Sequence, residues 1–401
     1  MKVRRLFIGA LGVMALASVT VFGASSSAES AGSSAKAAKA TCKGSIAIEA
    51  PFATGPAIPQ GLEQLHFAEL AVAMFNKANG TSFTLGQDDT GLNPALATTR
   101  TNAIIASKAL AVVGPSGSQE VEAVGPLLAA AGMAAVSPSA TLPALTTSGA
   151  NKTFFRVVPD DNVQGPDDAH YIIKHKLAPA GSTILIIDDQ EAYSQGITAV
   201  MIPILQAAGF TVNHQSYNGA DTGATLNSDM SSLVTSQVTA TTKVIILPWQ
   251  SGGNAELFAQ TLAQQGKTAT LFGTDGTNSP SQFVAPGTYV SAFGPDISTN
   301  KSALDKSLVK GVAKYGPYGP FGVPTWEATT IVLDAIDSVC KAGKTPSRAN
   351  VLAAVRKTNI PASQTDLGLP VKFAPNGNLG GSPGFLFHIN AKGKYVEIPD
   401  K

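Results

Sequence analysis

Several polar side chains in this 401-residue sequence follow directly on short apolar runs, where they could bind a small ligand. Ser118 and Thr141 follow two runs typical of buried strands, and Asp275 follows a third. The other members of this group are Ser139, Tyr193, Trp249 and Ser251. Ligands of open α/β sheets bind at the carboxyl ends of the strands, where the N-terminus of the next helix also favours a carboxylate. The group therefore predicts a ligand site, although each residue alone could be a helix N-cap.

The residues that would support catalysis do not occur in recognisable patterns. The five histidines are scattered, and His170 and His175 lie five residues apart, which does not place them on one helix face. The sequence has no nucleophile elbow, no phosphate-binding loop and no dinucleotide fingerprint after a strand. The adjacent acids Asp188 and Asp189 fit a strand-end loop better than an acid–base pair. We therefore expect no enzyme activity, no metal and no cofactor.

The charge balance argues against nucleic acid as a partner, because 28 Lys and Arg stand against 27 Asp and Glu for a net charge of +1. Hydrophobic residues make up 44% of the chain, which is enough to bury a sizeable core. Charged residues make up only 14%, about half of the roughly 25% that is usual for soluble domains. This weakly charged composition suits an extracellular protein.

The first forty residues have the pattern of an export signal. Lys2, Arg4 and Arg5 precede an apolar stretch over 6–24, and small residues follow it. This order is typical of a secretory signal peptide, with a signal anchor as the alternative because about 19 residues can span a bilayer. We assign 1–30 to the signal peptide and 31–42, which has no apolar face, to a flexible linker. The predicted location is exported, either periplasmic or at the cell surface or outside the cell.

The two cysteines, Cys42 and Cys340, are too few for a disulfide scaffold and belong to no CxxC motif. In an oxidising compartment such a pair is more often bridged than free. A bridge would fix the start of the mature chain to a late helix. Two independent thiols remain the alternative.

Short apolar runs alternate with amphipathic segments along most of the chain, which favours an α/β fold with parallel sheets. The pattern restarts near residue 160, with a β-branched run at 183–187. Continuous apolar strands between helices indicate sheets that are covered on both faces. A further strand at 289–293 and a long helix at 325–340 follow, and then two hairpin-like runs. We predict two doubly wound, Rossmann-like lobes of similar size.

Several of these segments resemble one protein family. Gly-Pro-Ser-Gly-Ser at 114–118, with Ser-Pro-Ser-Ala-Thr at 137–141, resembles the ligand loop of the Leu/Ile/Val-binding proteins, the receptors of branched-chain amino-acid ABC importers. Matching segments are Phe-Arg at 155–156, Asp-Asp-Asn-Val-Gln-Gly-Pro at 160–166, Ile-Ile-Asp-Asp at 186–189, Tyr-Ser-Gln-Gly at 193–196 and Phe-Gly-Thr-Asp-Gly at 272–276. The similarity covers roughly residues 44–395 in the same order.

The resemblance implies the type 1 periplasmic-binding fold, in which two lobes are joined by a hinge of three crossings and the ligand lies in the cleft. The expected N-terminal lobe comprises 43–158 and 286–358, and the expected C-terminal lobe comprises 159–285 and 359–401. In this arrangement the strand and helix between Tyr289 and Gly343 return to the first lobe. Cys340 then comes within reach of Cys42.

The resemblance also implies roles for site residues. Ser118 and Thr141 would bind the ligand carboxylate, with help from the backbone at Ser139 and Ala140. Asp275 would accept the ligand ammonium, where better-known members have Glu, and Tyr193 would close the cleft from the second lobe.

Two positions depart from the family pattern. Ser251 stands where the family has a second-lobe aromatic, although Trp249 lies two residues earlier and could face the same side. Gln60 stands near the position that touches the ligand side chain in relatives, and its polarity keeps a polar or larger amino acid, or an amide, open as the ligand.

The leading hypothesis is a monomeric, extracytoplasmic solute-binding receptor of an ABC importer. It would trap a small amino acid or related zwitterion by lobe closure and dock on a membrane permease. One alternative is a sensory module of the same fold for amides, urea or small aromatic acids. A secreted two-lobe hydrolase is the weakest alternative, because it would need a nucleophile and base or a metal.

Overall fold

One parallel and one mixed sheet, each covered by helices, form the framework of the molecule, and the predicted α/β class is confirmed. The computed structural model describes residues 41–299, 302–379 and 384–398. The predicted signal peptide and nearly all of the predicted linker lie outside these residues.

The first lobe is built on a five-stranded parallel sheet with the order β2-β1-β3-β4-β5. Its strands are β1 (Lys43–Ala50), β2 (Ser82–Asp89), β3 (Ala109–Val113), β4 (Ala134–Ser137) and β5 (Phe154–Arg156). The helices between them are α1 (Ile58–Asn79), α2 (Pro94–Ala106), α3 (Ser118–Ala130) and α4 (Ala144–Thr147). Because all five strands are parallel, their carboxyl ends meet at one edge of the sheet, which faces the second lobe.

The second lobe contains a seven-stranded sheet with the order β7-β6-β8-β9-β10-β13-β14. Its strands are β6 (Thr183–Asp188), β7 (Thr211–Ser216), β8 (Thr242–Leu247), β9 (Thr270–Gly273), β10 (Tyr289–Ala292), β13 (Phe385–Ile389) and β14 (Tyr395–Glu397). Its helices are α5 (Asp161–Lys174), α6 (Ala192–Ala207), α7 (Gly223–Gln237) and α8 (Gly252–Gln264). The predicted hairpin is present as the antiparallel pair β13 and β14.

The later part of the chain completes the first lobe. It contributes α9 (Ala303–Val312), α10 (Gly322–Lys341) and α11 (Arg348–Val355), and the short antiparallel strands β11 (Asn359–Ile360) and β12 (Val371–Lys372). Helix α10 packs closely on α1. A Cβ at Gly322 would lie 2.3 Å from the Phe67 ring, so only glycine permits this approach.

The boundaries between the lobes differ from the sequence expectation at two places. Strand β10 was expected in the first lobe, but it pairs with β9 and β13 in the second sheet. The segment 359–379 was expected in the second lobe, but Leu367, Val371 and Phe373 belong to the first-lobe core. Local apolar patterns predict a strand without specifying its partner, since pairing is a long-range property. The described residues change lobe after β5, after β10 and between Leu379 and β13, so the lobes are joined by three crossings, the last of which includes 380–383 outside the described residues.

Arg156 ties two of these crossings together. Its Nε donates to Asn378 Oδ1 at 2.7 Å, and its Nη2 lies 3.3 Å from Asp160 Oδ2. Asn378 Nδ2 in turn donates to the same Asp160 oxygen at 2.9 Å. Burial lowers the pKa of Arg156 to about 10, while Asp160 favours the charged form, so the guanidinium stays cationic at neutral pH. Arg156 therefore links the first crossing to the segment that leads into the third.

A disulfide joins Cys42 to Cys340, with their Cα atoms 5.9 Å apart. The bridge is one of the two alternatives that the sequence left open. It links the start of β1 to the last turn of α10, so both ends of the link lie in the first lobe.

Candidate ligand-binding cleft

A small cavity lies between the lobes at the carboxyl ends of their strands. Five of the sequence-predicted residues line it: Gln60, Ser118, Ser139, Tyr193 and Asp275. The other lining residues are Pro51, Ala57, Gln64, Leu92, Ser116, Gly117, Gln250, Gly276 and Phe321. The cavity is therefore formed by both lobes, with polar groups on both of its walls.

The loop between β3 and α3 shapes the first-lobe wall. Gly114 has a φ of +113°, and a Cβ there would lie 2.5 Å from the Glu49 carbonyl oxygen, so the tight turn requires glycine. The Ser118 hydroxyl accepts the Leu142 N–H at 3.2 Å and keeps its own hydrogen available to a ligand. Ser118 is also the first residue of α3, whose N-terminal N–H groups and dipole favour an anion.

Gln64 fixes the serines of this wall. Ser116 Oγ donates to Gln64 Oε1, and Gln64 Nε2 donates to Ser139 Oγ at 3.1 Å. Ser139 Oγ closes the ring by donating to the Ser116 carbonyl at 2.8 Å. Because each hydroxyl is held by two partners, the wall is preorganised.

Asp275 provides the negative charge of the second-lobe wall. Its Oδ1 accepts Tyr193 Oη at 2.6 Å and Gln164 Nε2 at 2.6 Å. Burial raises the pKa of Asp275 to about 7, although the hydrogen bonds from Tyr193 and Gln164 lower it. A cation beside this carboxyl would favour its ionised form.

A second buried acid lies close to Asp275. Asp161 is at the start of α5, where the first crossing enters the second lobe. Burial, together with the smaller effect of the nearby Asp275, raises its pKa to about 8. This second acid, which is not one of the lining residues, is therefore largely protonated at neutral pH.

The two lobes touch across the cleft. The amides of Gln119 in α3 and Gln250 after β8 donate to each other's oxygen at 2.8 and 3.1 Å. Gln60 Nε2 donates to the Gly276 carbonyl at 3.2 Å. The structure is thus a closed arrangement of the lobes.

Phe321 connects the cavity to the hinge. It lines the cavity, and it packs in a small buried cluster with Val158 of the first crossing and Phe293 of the second. The Glu63 carboxyl holds the segment around Phe321 by accepting the N–H groups of Gly319 at 2.8 Å and Gly322 at 2.5 Å. Burial raises the pKa of Glu63 to about 7. A ligand that contacts Phe321 would therefore touch a side chain that packs against both of these crossings.

Four predicted residues do not line the cavity. Trp249 is a core residue of the second lobe, where its Nε1 donates to the Ile187 carbonyl at 2.5 Å and its ring packs on Phe258. The expectation that it replaces the missing aromatic is wrong, because β8 ends at Leu247 and strand alternation does not extend past that point. Ser251 caps α8 by accepting the Asn254 N–H at 3.2 Å.

Ala140 and Thr141 are buried beside the first crossing. Arg156 Nη1 donates to the Ala140 carbonyl at 3.3 Å, and the Asp161 N–H donates to the Thr141 carbonyl at 3.1 Å. The Thr141 side chain lies beside the Asp161 carboxyl and lowers its pKa. Both residues therefore contribute their backbone to the link between the ligand loop and the hinge.

The sequence interpretation missed Gln64, Gln250, Gln164 and Phe321. Gln64 follows Gln60 by four residues, which places both on one face of α1, so helical spacing could have found it. Gln164 and Phe321 carry no local signal, because their role depends on partners more than a hundred residues away.

The residues that the structure describes contain no helix that is long and apolar enough to cross a membrane. They also contain no group of three or more His, Cys, Asp or Glu side chains arranged to hold a metal ion.

Two lobes, three crossings and a closed cavity at the strand ends define a two-lobe solute-binding protein of the type 1 fold. Comparison with known proteins gives the same answer. The profile of the periplasmic binding protein family matches residues 45–394, and this chain belongs to that family. Membership implies an extracytoplasmic location.

Curated relatives include amino-acid-binding proteins. The leucine-, isoleucine-, valine-, threonine- and alanine-binding protein of Pseudomonas aeruginosa is 25% identical over 340 residues, which is 82% of this chain and 86% of that protein. The Leu/Ile/Val-binding protein BraC3 of Rhizobium johnstonii is 30% identical over 271 residues, covering 65% and 68%.

Solved structures of similar fold include binding proteins for chemically different ligands. The branched-chain amino-acid transporter substrate-binding protein LivJ of Streptococcus pneumoniae, in complex with isoleucine, has a TM-score of 0.74 and 22% identity, covering 89% of this chain and 100% of that one. A fatty acid ABC transporter substrate-binding protein from Thermomonospora curvata has a TM-score of 0.75 and 19% identity, covering 89% and 91%. At these identities the likeness establishes the fold alone.

Proposed function

We propose that this protein is the receptor of an ABC importer for a small amino acid or related zwitterion. One observation carries the proposal: a single closed cavity places Ser118, at the N-terminus of α3, on one wall and the buried Asp275 carboxyl on the other. The first wall favours an anion and the second a cation. A zwitterion that loses its water needs both.

The remaining parts of the proposal follow from the architecture. A ligand that contacts both lobes stabilises the closed state over the open one. The closed form of this exported, monomeric and non-enzymatic receptor would then dock on a membrane permease. The relatives from Pseudomonas aeruginosa and Rhizobium johnstonii, which are amino-acid-binding proteins, support this role.

A thermal-shift screen tests the proposal. The protein from Ala31 onward, which keeps the bridge between Cys42 and Cys340, is heated with each of the twenty amino acids and with amides, urea, small aromatic acids and a fatty acid. A ligand at 100 times its dissociation constant adds about 2.7 kcal/mol of stability, which raises the melting midpoint visibly. We expect one or more zwitterionic amino acids to give this response. A response only to ligands without an ammonium group would contradict the proposal.

A further inference from the structure

The three glutamines that line the cavity differ in how their side-chain oxygens are bonded. Gln64 Oε1 accepts the Ser116 hydroxyl, and Gln250 Oε1 accepts Gln119 Nε2 at 2.8 Å. Gln60 Oε1, in contrast, has no hydrogen-bond partner among the described residues, and the side chain is only 4% exposed. Of the three glutamine side-chain oxygens, that of Gln60 is therefore the one left for a ligand.

The orientation of the Gln60 amide is fixed by the protein. Its Nε2 donates to the Gly276 carbonyl at 3.2 Å, which is a contact between the lobes. Exchanging the amide nitrogen and oxygen would set two oxygens against each other, because Gly276 offers only an acceptor there. The oxygen of Gln60 therefore stays free of Gly276 whenever the cleft is closed.

We propose that the ligand side chain carries an N–H or O–H group that donates to Gln60 Oε1. This inference rests on the proposed function, and it names the class of ligand as a small amino acid with a hydroxyl or carboxamide side chain. The carboxylate and ammonium of such a ligand use Ser118 and Asp275. Ala57, Leu92 and Phe321 offer apolar contacts to the carbon atoms of its side chain.

The energetic reason is the asymmetry of buried hydrogen bonds. An aliphatic side chain would leave the Gln60 oxygen buried without a partner, and the cost of such an orphaned acceptor is large. A site that is built to bond a polar group rejects the analogue that lacks it.

The test uses two pairs of amino acids that match in shape. Threonine and valine differ by a hydroxyl in place of a methyl group, and asparagine and leucine differ by a carboxamide in place of a branched hydrocarbon. Calorimetric titration of the intact protein gives the four dissociation constants. We expect the polar member of at least one pair to bind at least about tenfold more tightly than its partner.

Two matched variants locate the effect. Gln60→Met keeps the length of the side chain and removes its acceptor, so the ratio of dissociation constants within that pair should fall toward one. Gln250→Met makes the same change at a glutamine whose oxygen is already bonded by Gln119. It should weaken both members of the pair together and leave their ratio unchanged.

Each outcome decides between the two proposals. Equal or tighter binding of valine and leucine by the unmodified protein overturns this inference and leaves the receptor function standing. Binding of no amino acid overturns the receptor function itself. A ratio that survives in Gln60→Met shows that another group selects the ligand and overturns the role of Gln60. If Gln60→Met does not fold, the ratios from the unmodified protein decide the question alone.

Discussion

The ammonium contact of Asp275 can be isolated by the substitution Asp275→Asn. Asparagine has nearly the same size, and its Oδ1 can still accept the hydroxyl of Tyr193, which lies 2.6 Å from the native oxygen. The variant therefore keeps the cavity and loses only the negative charge. A hydrogen bond to a charged partner contributes about 1.5–3 kcal/mol, so the dissociation constant for the ligand should rise roughly 10- to 150-fold.

The pH dependence gives a second readout of the same contact. Burial raises the pKa of Asp275 to about 7, so its carboxyl is largely protonated below that pH in the ligand-free protein. An ammonium group binds the ionised form, and affinity in the unmodified protein should therefore increase as the pH rises toward 7 and level off above it. Asp275→Asn should lose this dependence.

Isothermal titration at pH 6, 7 and 8 measures both effects, and thermal unfolding verifies that the variant folds. Glu122→Gln is the matched control, since it removes one negative charge from an exposed position on α3 outside the cavity. Its dissociation constant should stay within about twofold of the unmodified value. Undiminished affinity in Asp275→Asn, or affinity that falls as the pH rises through 7, would refute the ammonium contact.

Three further predictions concern the fold. Trp249→Ala should lower the free energy of chemical unfolding by about 3–5 kcal/mol because the ring is a core residue. The ligand affinity of the folded protein should stay within about twofold, and a large loss of that affinity would show that Trp249 contacts the ligand. Replacing Cys42 and Cys340 by alanine should lower the free energy of unfolding by about 2–5 kcal/mol, and an unchanged denaturant midpoint would show that the bridge does not form. Burial raises the pKa of Glu120 to about 7, so between its ordinary pKa and pH 7 the folded protein keeps a proton on this carboxyl that the unfolded chain releases. The contribution of protonated Glu120 to the free energy of unfolding is therefore fully present near pH 4 and is lost as the pH rises through 7. The melting temperature should accordingly decrease as the pH is raised from 5 to 8, and it should decrease less steeply in Glu120→Gln. The same dependence of the melting temperature on pH in both proteins would refute the assignment.

The sequence predicted the order of strands and helices well because that order depends on local periodicity. The apolar face of α1 and the hairpin of β13 and β14 are examples. It assigned β10 to the wrong lobe because a four-residue strand carries no record of its neighbour in the sheet. Helices and turns follow from adjacent residues, whereas sheet membership follows from the packing of the whole lobe.

The candidate site likewise contains residues that local sequence patterns predict and residues that depend on long-range packing. Ser118, Ser139, Tyr193 and Asp275 follow strand ends, and the geometry of parallel sheets brings such ends together. Phe321 lies in a segment rich in glycine and proline, and it reaches the cavity only because the Glu63 carboxylate, 258 residues earlier, anchors its backbone. Residues such as Phe321, which distant parts of the chain hold in place, can be recognised only once the fold is known.

The bridge between Cys42 and Cys340 also determines how the molecule would carry a mechanical load. Strand β1 lies inside the first sheet and pairs with β2 and β3, so a pull applied through the residues before it would act on those backbone hydrogen bonds. The covalent link instead passes the force at Cys42 directly to the last turn of α10, a helix buried along most of its length in the first-lobe core. A receptor held at a surface by its N-terminus could then be dragged by flow or by a moving partner while its sheet, and the ligand cavity at the edge of that sheet, stayed intact.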